Sequence, residues 1–324
     1  MSFEPATTRF SAVNAEALAL AATIAYEVDN TKAQRRAEEE LGLDQFFEPF
    51  EHHNFVIDTE GFVAASKQHV VLAFRGTEPG KIKDWATDAL AAPSAFRWFF
   101  ELAPDVGNVH SGFTNSLRDS WADSIRKLLK KAGAGTRRTL WITGHSLGGA
   151  LAVLAGGACT YDPETLLPLN GLYTFGQPRV GLHDFCNNIE LKFGSVYYRF
   201  VNDHDVVPRV PPRAFDYTHT GRLIHFDSDG EPDADSQEQR SFLARAFDTI
   251  SAVVADFTHS PELIGDHDMT KGYLTCIRNG IESGALAAGK KLPQTGNRSA
   301  YAFDSWVKRF VDNLWRFGLK PRVL

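Results

Sequence analysis

The segment Arg138-Thr-Leu-Trp-Ile-Thr143 runs directly into Gly144-His145-Ser146-Leu147-Gly148-Gly149. Residues 138–143 are mostly β-branched, aromatic or leucine, which predicts a strand buried on both faces. Residues 146–160 are small and apolar, as expected of a buried helix. Glycine is needed at positions 144 and 148 because side chains there would collide with the neighbouring strand and helix as the chain turns sharply. The pattern therefore predicts a strained Ser146 whose hydroxyl is presented outward.

Three more segments predict strands of the same kind, at residues 69–75, 172–175 and 196–201. A helix with one apolar stripe is predicted between the first two of them, over residues 116–131. Strands that alternate with helices along the chain favour a parallel sheet covered by helices. We expect an α/β fold with a mostly parallel central sheet flanked by helices, the architecture in which such a serine turn occurs in α/β-hydrolases.

The chain is expected to form a single α/β-hydrolase domain over residues 1–324, with its core at about residues 56–275. A C-terminal helical extension is predicted over residues 283–324. Within it, residues 301–317 have helical periodicity and either pack on the core or on a second subunit, or lie on a membrane surface. An N-terminal helix is predicted over residues 10–40, with one face formed by Ala17, Leu20, Ala21 and Ile24.

The alanine-rich residues 12–26 do not have the features of a signal peptide. Arg9 is the only basic residue before them, Asn14 and Glu16 interrupt the apolar run, and no small-residue cleavage site ends it. We therefore expect a cytoplasmic protein, or one exported by an unconventional route.

Composition argues against several classes of function. The 34 Lys and Arg residues are outnumbered by 40 Asp and Glu residues, so nucleic acid is not expected as a partner. The 3 cysteines are widely spaced and form no CxxC pair, so neither a disulfide scaffold nor a zinc site is expected. No glycine-rich phosphate cradle follows a strand. The chemistry is expected to need no metal and no cofactor.

A serine nucleophile needs a base, and the base needs an acid to orient it. Asp203 and Asp205 both follow the predicted strand at residues 196–201, where active sites of α/β folds gather, and the residues alone do not choose between them. Candidate bases lie further along the chain, and spacing alone does not choose among them either: His219, His225, His259 and His267. A loop position before a helical run favours His267.

An oxyanion hole is expected to be built from two places in the chain. The backbone N–H of Leu147 lies at the start of a predicted helix, where free amides and the helix dipole favour an anion. A second donor is expected from Arg75-Gly76-Thr77, after the strand at residues 69–75. The alternative for this stretch is an ordinary strand-ending turn capped by threonine.

Seven ordered stretches of the chain, within residues 56–273, resemble the class 3 lipase family. They are Ala73-Phe-Arg-Gly-Thr77, Asp84-Trp85 with Asp88, Val109-His-Ser-Gly-Phe113, the serine turn, Thr174-Phe-Gly-Gln-Pro-Arg-Val-Gly181, and residues 201–212 followed by Asp266-His267. The resemblance implies a serine esterase of the α/β-hydrolase fold that acts on lipid esters at a lipid–water interface.

The resemblance also implies a role for individual residues. Ser146 is the nucleophile, Asp205 the acid and His267 the base, while Thr77 adds an oxyanion donor that Asp88 steadies. Triacylglycerol lipase or esterase activity is the activity we expect. The alternatives are a phospholipase A1 or an acyltransferase with the same triad, or a non-catalytic interaction protein of the same fold.

Residues 79–104 are more aromatic than a simple loop requires. We hypothesise that they form a mobile cover over the site, and the alternative is packed core. The candidate cover residues are Trp85, Phe96, Trp98 and Phe99.

Overall fold

A seven-stranded sheet organises the part of the chain that the computed structural model describes, namely residues 3–53, 58–77, 93–96, 106–162, 164–165, 167–203, 205–232 and 266–287. The strands lie in the order β1 (Phe46–His52), β2 (Thr59–Ala65), β3 (His69–Phe74), β6 (Thr139–His145), β7 (Leu169–Phe175), β9 (Tyr197–Asn202) and β11 (Arg222–Phe226). All neighbours from β3 to β11 pair in parallel, whereas β1 and β2 pair antiparallel at one edge. The predicted mostly parallel α/β sheet is confirmed.

Four short strands form a second sheet, in the order β10 (Tyr217–Thr218), β8 (Gly181–Leu182), β5 (Asn108–His110) and β4 (Pro93–Ala95). Phe96 follows β4 directly and is 1% exposed, with its ring centroid 5.2 Å from that of Phe185. Phe96, a candidate cover residue, lies in the apolar core cluster, which favours the packed-core alternative at this position. Trp85, Trp98 and Phe99 lie outside the described residues.

Helices cover both faces of the larger sheet. They are α1 (Ala12–Ile24), α2 (Asn30–Leu41), α3 (Ser111–Ser120), α4 (Arg126–Gly133), α5 (Leu147–Tyr161), α6 (His183–Phe193) and α7 (Thr275–Glu282). One π-helical turn, Trp121–Ile125, joins α3 to α4, and another, Met269–Leu274, leads into α7. Short 3₁₀ turns occur at Gly194–Val196, Val207–Arg209 and Arg213–Phe215. Among the described residues, no helix is both long and apolar enough to cross a bilayer.

The N-terminal segment forms two helices, so the prediction of one helix over residues 10–40 is wrong. The Asp29 side chain accepts hydrogen bonds from the N–H groups of Thr31 and Lys32, at 2.9 and 3.2 Å, and so begins α2. The first helix, α1, is buried on nearly every side because it packs against β6 and against the turn at residues 269–274. Amphipathic character is instead found in α2, where only Ala33 and Ala37 are buried.

Apolar layers cover both faces of the larger sheet. Because β3, β6, β7 and β9 pair in parallel, their C-terminal ends lie at a common edge. Helix α5 packs on one face and α1 with α7 on the other. The predicted C-terminal extension beyond residue 287 lies outside the described residues. The edge where the parallel strands end is where the predicted site residues are found.

Candidate active site

Ser146 occupies the turn between β6 and α5 in a backbone conformation that L-residues rarely adopt. Its φ is 57° and its ψ is −130°. Its N–H donates to the carbonyl oxygen of Phe175 at 2.9 Å, so the turn is fastened to the end of β7. The predicted strain at this serine is therefore present, and the surrounding backbone holds it in place.

The two glycines of the turn are required by close contacts of the backbone. A Cβ at Gly148 would lie 2.6 Å from the Phe74 carbonyl oxygen and 2.7 Å from that of Arg75, at the end of β3. A Cβ at Gly144 would overlap the carbonyl group of Gly148 and lie 2.8 Å from the nitrogen of Gly149. The helix after the serine therefore approaches the neighbouring strand so closely that only glycine fits at these two positions.

Asp205 lies just beyond β9, and its carboxylate is held in a buried position. The residue is 1% exposed, its N–H donates to the Asn202 carbonyl oxygen at 2.8 Å, and its Oδ1 accepts from the Val207 N–H at 2.9 Å. Asp203 has a φ of 30°, and its N–H donates to the Phe226 carbonyl oxygen at 2.8 Å. The two aspartates left open by the sequence thus occupy different settings, and the carboxylate of Asp205 lies against a histidine ring.

That histidine is His267, whose Nδ1 lies 2.8 Å from Asp205 Oδ2. Its side chain is 3% exposed. The other described candidates form different contacts: His219 Nε2 lies 2.8 Å from the Pro208 carbonyl oxygen, and His225 Nε2 lies 3.3 Å from the Asp203 carbonyl oxygen. His259 lies outside the described residues. The structure therefore brings together the acid and base that the family resemblance implied.

The hydrogen bond to Asp205 also determines which His267 nitrogen carries the proton. A carboxylate only accepts, so Nδ1–H donates to it and Nε2 of the neutral ring keeps its lone pair. His267 Nε2 and Ser146 Oγ are both buried, and neither has a hydrogen-bond partner among the described residues. A base nitrogen and a hydroxyl are thus left unpaired in the same buried region.

Gly176 connects the histidine to the serine turn. Its φ is 59°, and a Cβ there would lie 2.9 Å from His267 Nδ1 and 2.8 Å from Asp205 Oδ2. The residue before it, Phe175, accepts the Ser146 N–H. The acid–base pair and the serine backbone are therefore in contact with consecutive residues at the end of β7.

Tyr273 is a site residue that sequence reasoning missed. Its hydroxyl donates to Asp205 Oδ2 at 2.5 Å and accepts from the Asn202 N–H at 3.1 Å. Burial, followed by the charge of Asp205, raises the pKa of Tyr273 well above its usual range, so the phenol stays protonated and acts as the donor. The available signal was weak: one hydroxyl-bearing aromatic residue in the first turns after His267.

Replacing Tyr273 with phenylalanine should lower kcat by about tenfold and the free energy of unfolding by about 1–3 kcal/mol. The change removes one hydrogen bond that orients Asp205 and leaves the buried Asn202 N–H unpaired. Steady-state kinetics and urea unfolding of the purified variant measure both effects. Unchanged kcat would show that Asp205 is oriented without this hydroxyl.

The two predicted oxyanion donors, Leu147 and Thr77, belong to segments that meet at the serine turn. Leu147 is the first residue of α5, so its N–H has no acceptor within that helix. Thr77 follows Gly76, where a Cβ would lie 3.1 Å from the Cβ of Ser146 and 2.5 Å from the carbonyl oxygen of His145. The end of β3 thus reaches the serine turn. Asp88 lies outside the described residues.

The described residues contain no group of three or more His, Cys, Asp or Glu side chains arranged to hold a metal ion. All three cysteines, Cys159, Cys186 and Cys276, are buried thiols, and burial raises the pKa of each. They are poor candidates for nucleophiles, because the thiolate is the reactive form.

Comparison with known proteins agrees with this geometry. Residues 71–215 match the family model described as Lipase (class 3). The chain is 26% identical over 303 residues to triacylglycerol lipase OBL1 of Arabidopsis thaliana, covering 75% of this chain and 57% of that protein. It is 34% identical over 171 residues to the lipase of Rhizomucor miehei, covering 51% of this chain and 44% of that protein.

Solved structures show the same likeness. Lipase II from Rhizopus niveus matches with a TM-score of 0.54 and 26% identity, over 67% of this chain and 81% of that chain. The chain spans about half the length of the curated relatives it matches, between 44% and 57% for the two named above. The sheet order, the strained serine turn and these matches agree: residues 71–215 are similar to the class 3 lipase family, and the fold is that of the solved lipase.

Proposed function

We propose that the protein is a serine-dependent carboxylic ester hydrolase that acts on lipid esters, with Ser146, Asp205 and His267 as its catalytic triad. The observation that carries the proposal is the 2.8 Å hydrogen bond from His267 Nδ1 to Asp205 Oδ2, which leaves the Nε2 lone pair available beside the strained serine turn. A hydroxyl is a weak nucleophile by itself and needs such a base to react at neutral pH.

In the first half of the reaction, Ser146 Oγ forms a bond to the ester carbonyl carbon while its proton passes to His267 Nε2. Asp205 stabilises the imidazolium and keeps the ring in the required tautomer. The backbone N–H of Leu147 and a donor from Thr77 bind the oxyanion that develops on the carbonyl oxygen. Collapse of the intermediate expels the alcohol, which takes the proton from Nε2 and leaves an acyl-enzyme.

In the second half, water attacks the acyl-enzyme and gives up a proton to His267 Nε2. The same donors hold the second oxyanion, and the proton returns to Ser146 Oγ as the carboxylic acid leaves. Apart from the ester and water, the cycle uses only side chains and backbone groups of this chain. The protein therefore needs no cofactor in this proposal.

The proposed substrate class is acylglycerols, because the Arabidopsis relative is named a triacylglycerol lipase. Purified protein should release fatty acid from an acylglycerol emulsion, and the Ser146→Ala variant should not. A phospholipid and an added alcohol, tested in parallel, show whether another headgroup or acyl transfer is preferred. Absence of acid release or ester exchange from every ester tested, with a folded protein, would instead support a non-catalytic interaction protein.

The proposed substrates are poorly soluble, so we also propose that the protein acts at a lipid–water interface. The rate of tributyrin hydrolysis is then expected to rise abruptly once the substrate exceeds its solubility limit and forms droplets. Titrated fatty-acid release across that limit measures the effect, with soluble p-nitrophenyl acetate as the control substrate. A smooth saturation curve through the solubility limit would argue against activation by an interface.

A further inference from the structure

Tyr26, just after α1, contacts the serine turn from the N-terminal part of the chain. Its hydroxyl oxygen lies 2.8 Å from Nδ1 of His145, the residue before the proposed nucleophile. The other nitrogen of that ring, His145 Nε2, lies 2.7 Å from the backbone carbonyl oxygen of His267. One imidazole therefore joins the N-terminal segment to the loop that carries the proposed base.

The direction of both hydrogen bonds follows from the chemistry of the partners. A carbonyl oxygen only accepts, so His145 Nε2 carries a proton and donates it to His267. Burial, followed by the neighbouring His267, lowers the pKa of His145 well below its usual range, so the ring is neutral and Nδ1 is an acceptor. Burial raises the pKa of Tyr26, so its phenol stays protonated and donates to Nδ1.

The same hydroxyl meets the end of β3. A Cβ at Gly76 would overlap the Tyr26 hydroxyl oxygen, and the guanidinium carbon of Arg75 lies 5.9 Å from the centroid of the Tyr26 ring. A Cβ at Gly76 would lie 3.1 Å from the Cβ of Ser146. Tyr26 is thus fitted between the turn that leads to Thr77 and the ring of His145.

We propose that Tyr26 is a positioning residue of the active site, acting through His145 to fix the main chain of His267 relative to Ser146. This inference rests on the proposed function of the triad. The Tyr26 hydroxyl anchors the neutral His145 ring at Nδ1, and the Nε2–H of that ring binds the His267 carbonyl group.

Loss of the hydroxyl has a specific consequence. Without the hydroxyl, the Nδ1 acceptor is left unpaired, and the His145 ring is held only by its Nε2–H bond to the His267 carbonyl oxygen, so the ring can turn or shift and carry that carbonyl group with it. The ring centroids of His145 and His267 are only 4.5 Å apart, so a displacement of the His145 ring also displaces the His267 ring. Misplacing a catalytic group by about 1 Å costs about 10²-fold in rate.

The test compares Tyr26→Phe with Tyr173→Phe. Tyr26 is partly buried and Tyr173 is fully buried, but the Tyr173 hydroxyl accepts the Ser11 N–H at 3.2 Å, away from the serine turn. Tyr26→Phe should lower kcat by between about 10- and 100-fold with KM changed less than about threefold, within the range expected for misplacement of the base. Tyr173→Phe should lower the melting temperature and leave kcat within about twofold, since it removes no hydrogen bond of the active site.

A variant of His145 tests whether the effect passes through this ring. In His145→Gln, the side-chain amide keeps an N–H that can donate to the His267 carbonyl group and has no Nδ1 acceptor for Tyr26. Adding Tyr26→Phe to His145→Gln should then change kcat by less than about twofold, because the two residues act as one unit. If the two substitutions instead lowered kcat by independent factors that multiply in the double variant, Tyr26 would not act through His145.

The hydrogen bond at Nδ1 is measured without turnover. The ¹⁵N NMR shifts of His145 should show the Nε2–H tautomer with a hydrogen-bonded Nδ1 in the wild-type protein, and in Tyr26→Phe the Nδ1 shift should move toward that of an unbonded acceptor nitrogen. If the wild-type protein is active and Tyr26→Phe changes neither kcat nor the ¹⁵N shifts, the positioning role is overturned. If the wild-type protein is inactive, the proposed function is contradicted, and the ¹⁵N shifts still decide whether Tyr26 holds the His145 ring.

Discussion

Replacing Ser146 with alanine is expected to lower kcat by about 10⁵-fold or more, because every step of the proposed reaction passes through its oxygen. The variant should fold normally. Ser146 Oγ has no hydrogen-bond partner among the described residues, so its removal breaks no stabilising contact. The free energy of unfolding should change by about 1 kcal/mol or less. Initial rates on a soluble p-nitrophenyl ester and urea unfolding measure the two quantities.

A suitable control is Ser116→Ala, a buried serine in α3 that donates to the Gly112 carbonyl oxygen at 3.0 Å. It should lose stability by about 1 kcal/mol and keep its esterase activity. If Ser146→Ala retained more than a few per cent of wild-type kcat, Ser146 would not be the nucleophile and the proposed mechanism would be wrong.

Replacing Asp205 with asparagine is expected to lower kcat by about 10⁴-fold, the size of loss seen when the acid of such a triad is neutralised. Asparagine has nearly the same shape, but its amide group allows the wrong His267 tautomer, in which Nε2 is protonated and accepts no proton from serine. Asp205 also accepts from Tyr273 and from the Val207 N–H, so the side chain cannot turn away freely. KM should change little, since no substrate contact is removed.

The matched control is Asp203→Asn, two residues earlier on the same loop. Asparagine is among the residues that best tolerate a positive φ, so the φ of 30° at this position should be kept. Activity is expected to remain within about threefold of wild type, since no group of the proposed reaction is altered. The reverse order of effects would assign the acid to Asp203 instead.

The serine turn could be predicted because local sterics and the local sequence agree. Glycine is required at 144 and 148 by contacts with residues close in the fold, and a continuous apolar strand and helix flank them. The central strands were predictable for a related reason. Strands buried on both faces are apolar throughout, and the observed bounds of β6, Thr139–His145, differ from the prediction by one to two residues.

The choice between Asp203 and Asp205 could not be made from strand position, because both follow β9. It depends on how the loop closes: the Asp205 N–H returns to Asn202 while the Asp203 N–H bonds to β11, and the Asp205 carboxylate meets His267. Loop geometry of this kind is set by partners distant in sequence. The choice of Asp205 came from the family resemblance, because the local sequence pattern did not distinguish the two aspartates.

Tyr26 and Tyr273 were missed for the same physical reason. The Tyr26–His145 hydrogen bond joins residues 119 positions apart, and the Tyr273–Asp205 bond joins residues 68 positions apart. No periodicity or spacing rule reports such contacts. The break between α1 and α2 could not be predicted from apolar periodicity, because it depends on the Asp29 side chain, which caps the start of the second helix.

The most direct test of the central claim is covalent labelling of the native protein with a fluorophosphonate, followed by peptide mass spectrometry. The account predicts one phosphonate adduct, located on Ser146, and a labelling rate that falls by about 10³-fold or more in His267→Ala because the base is gone. No adduct on the folded protein, an adduct on a different residue, or equal labelling rates in the two proteins would contradict it.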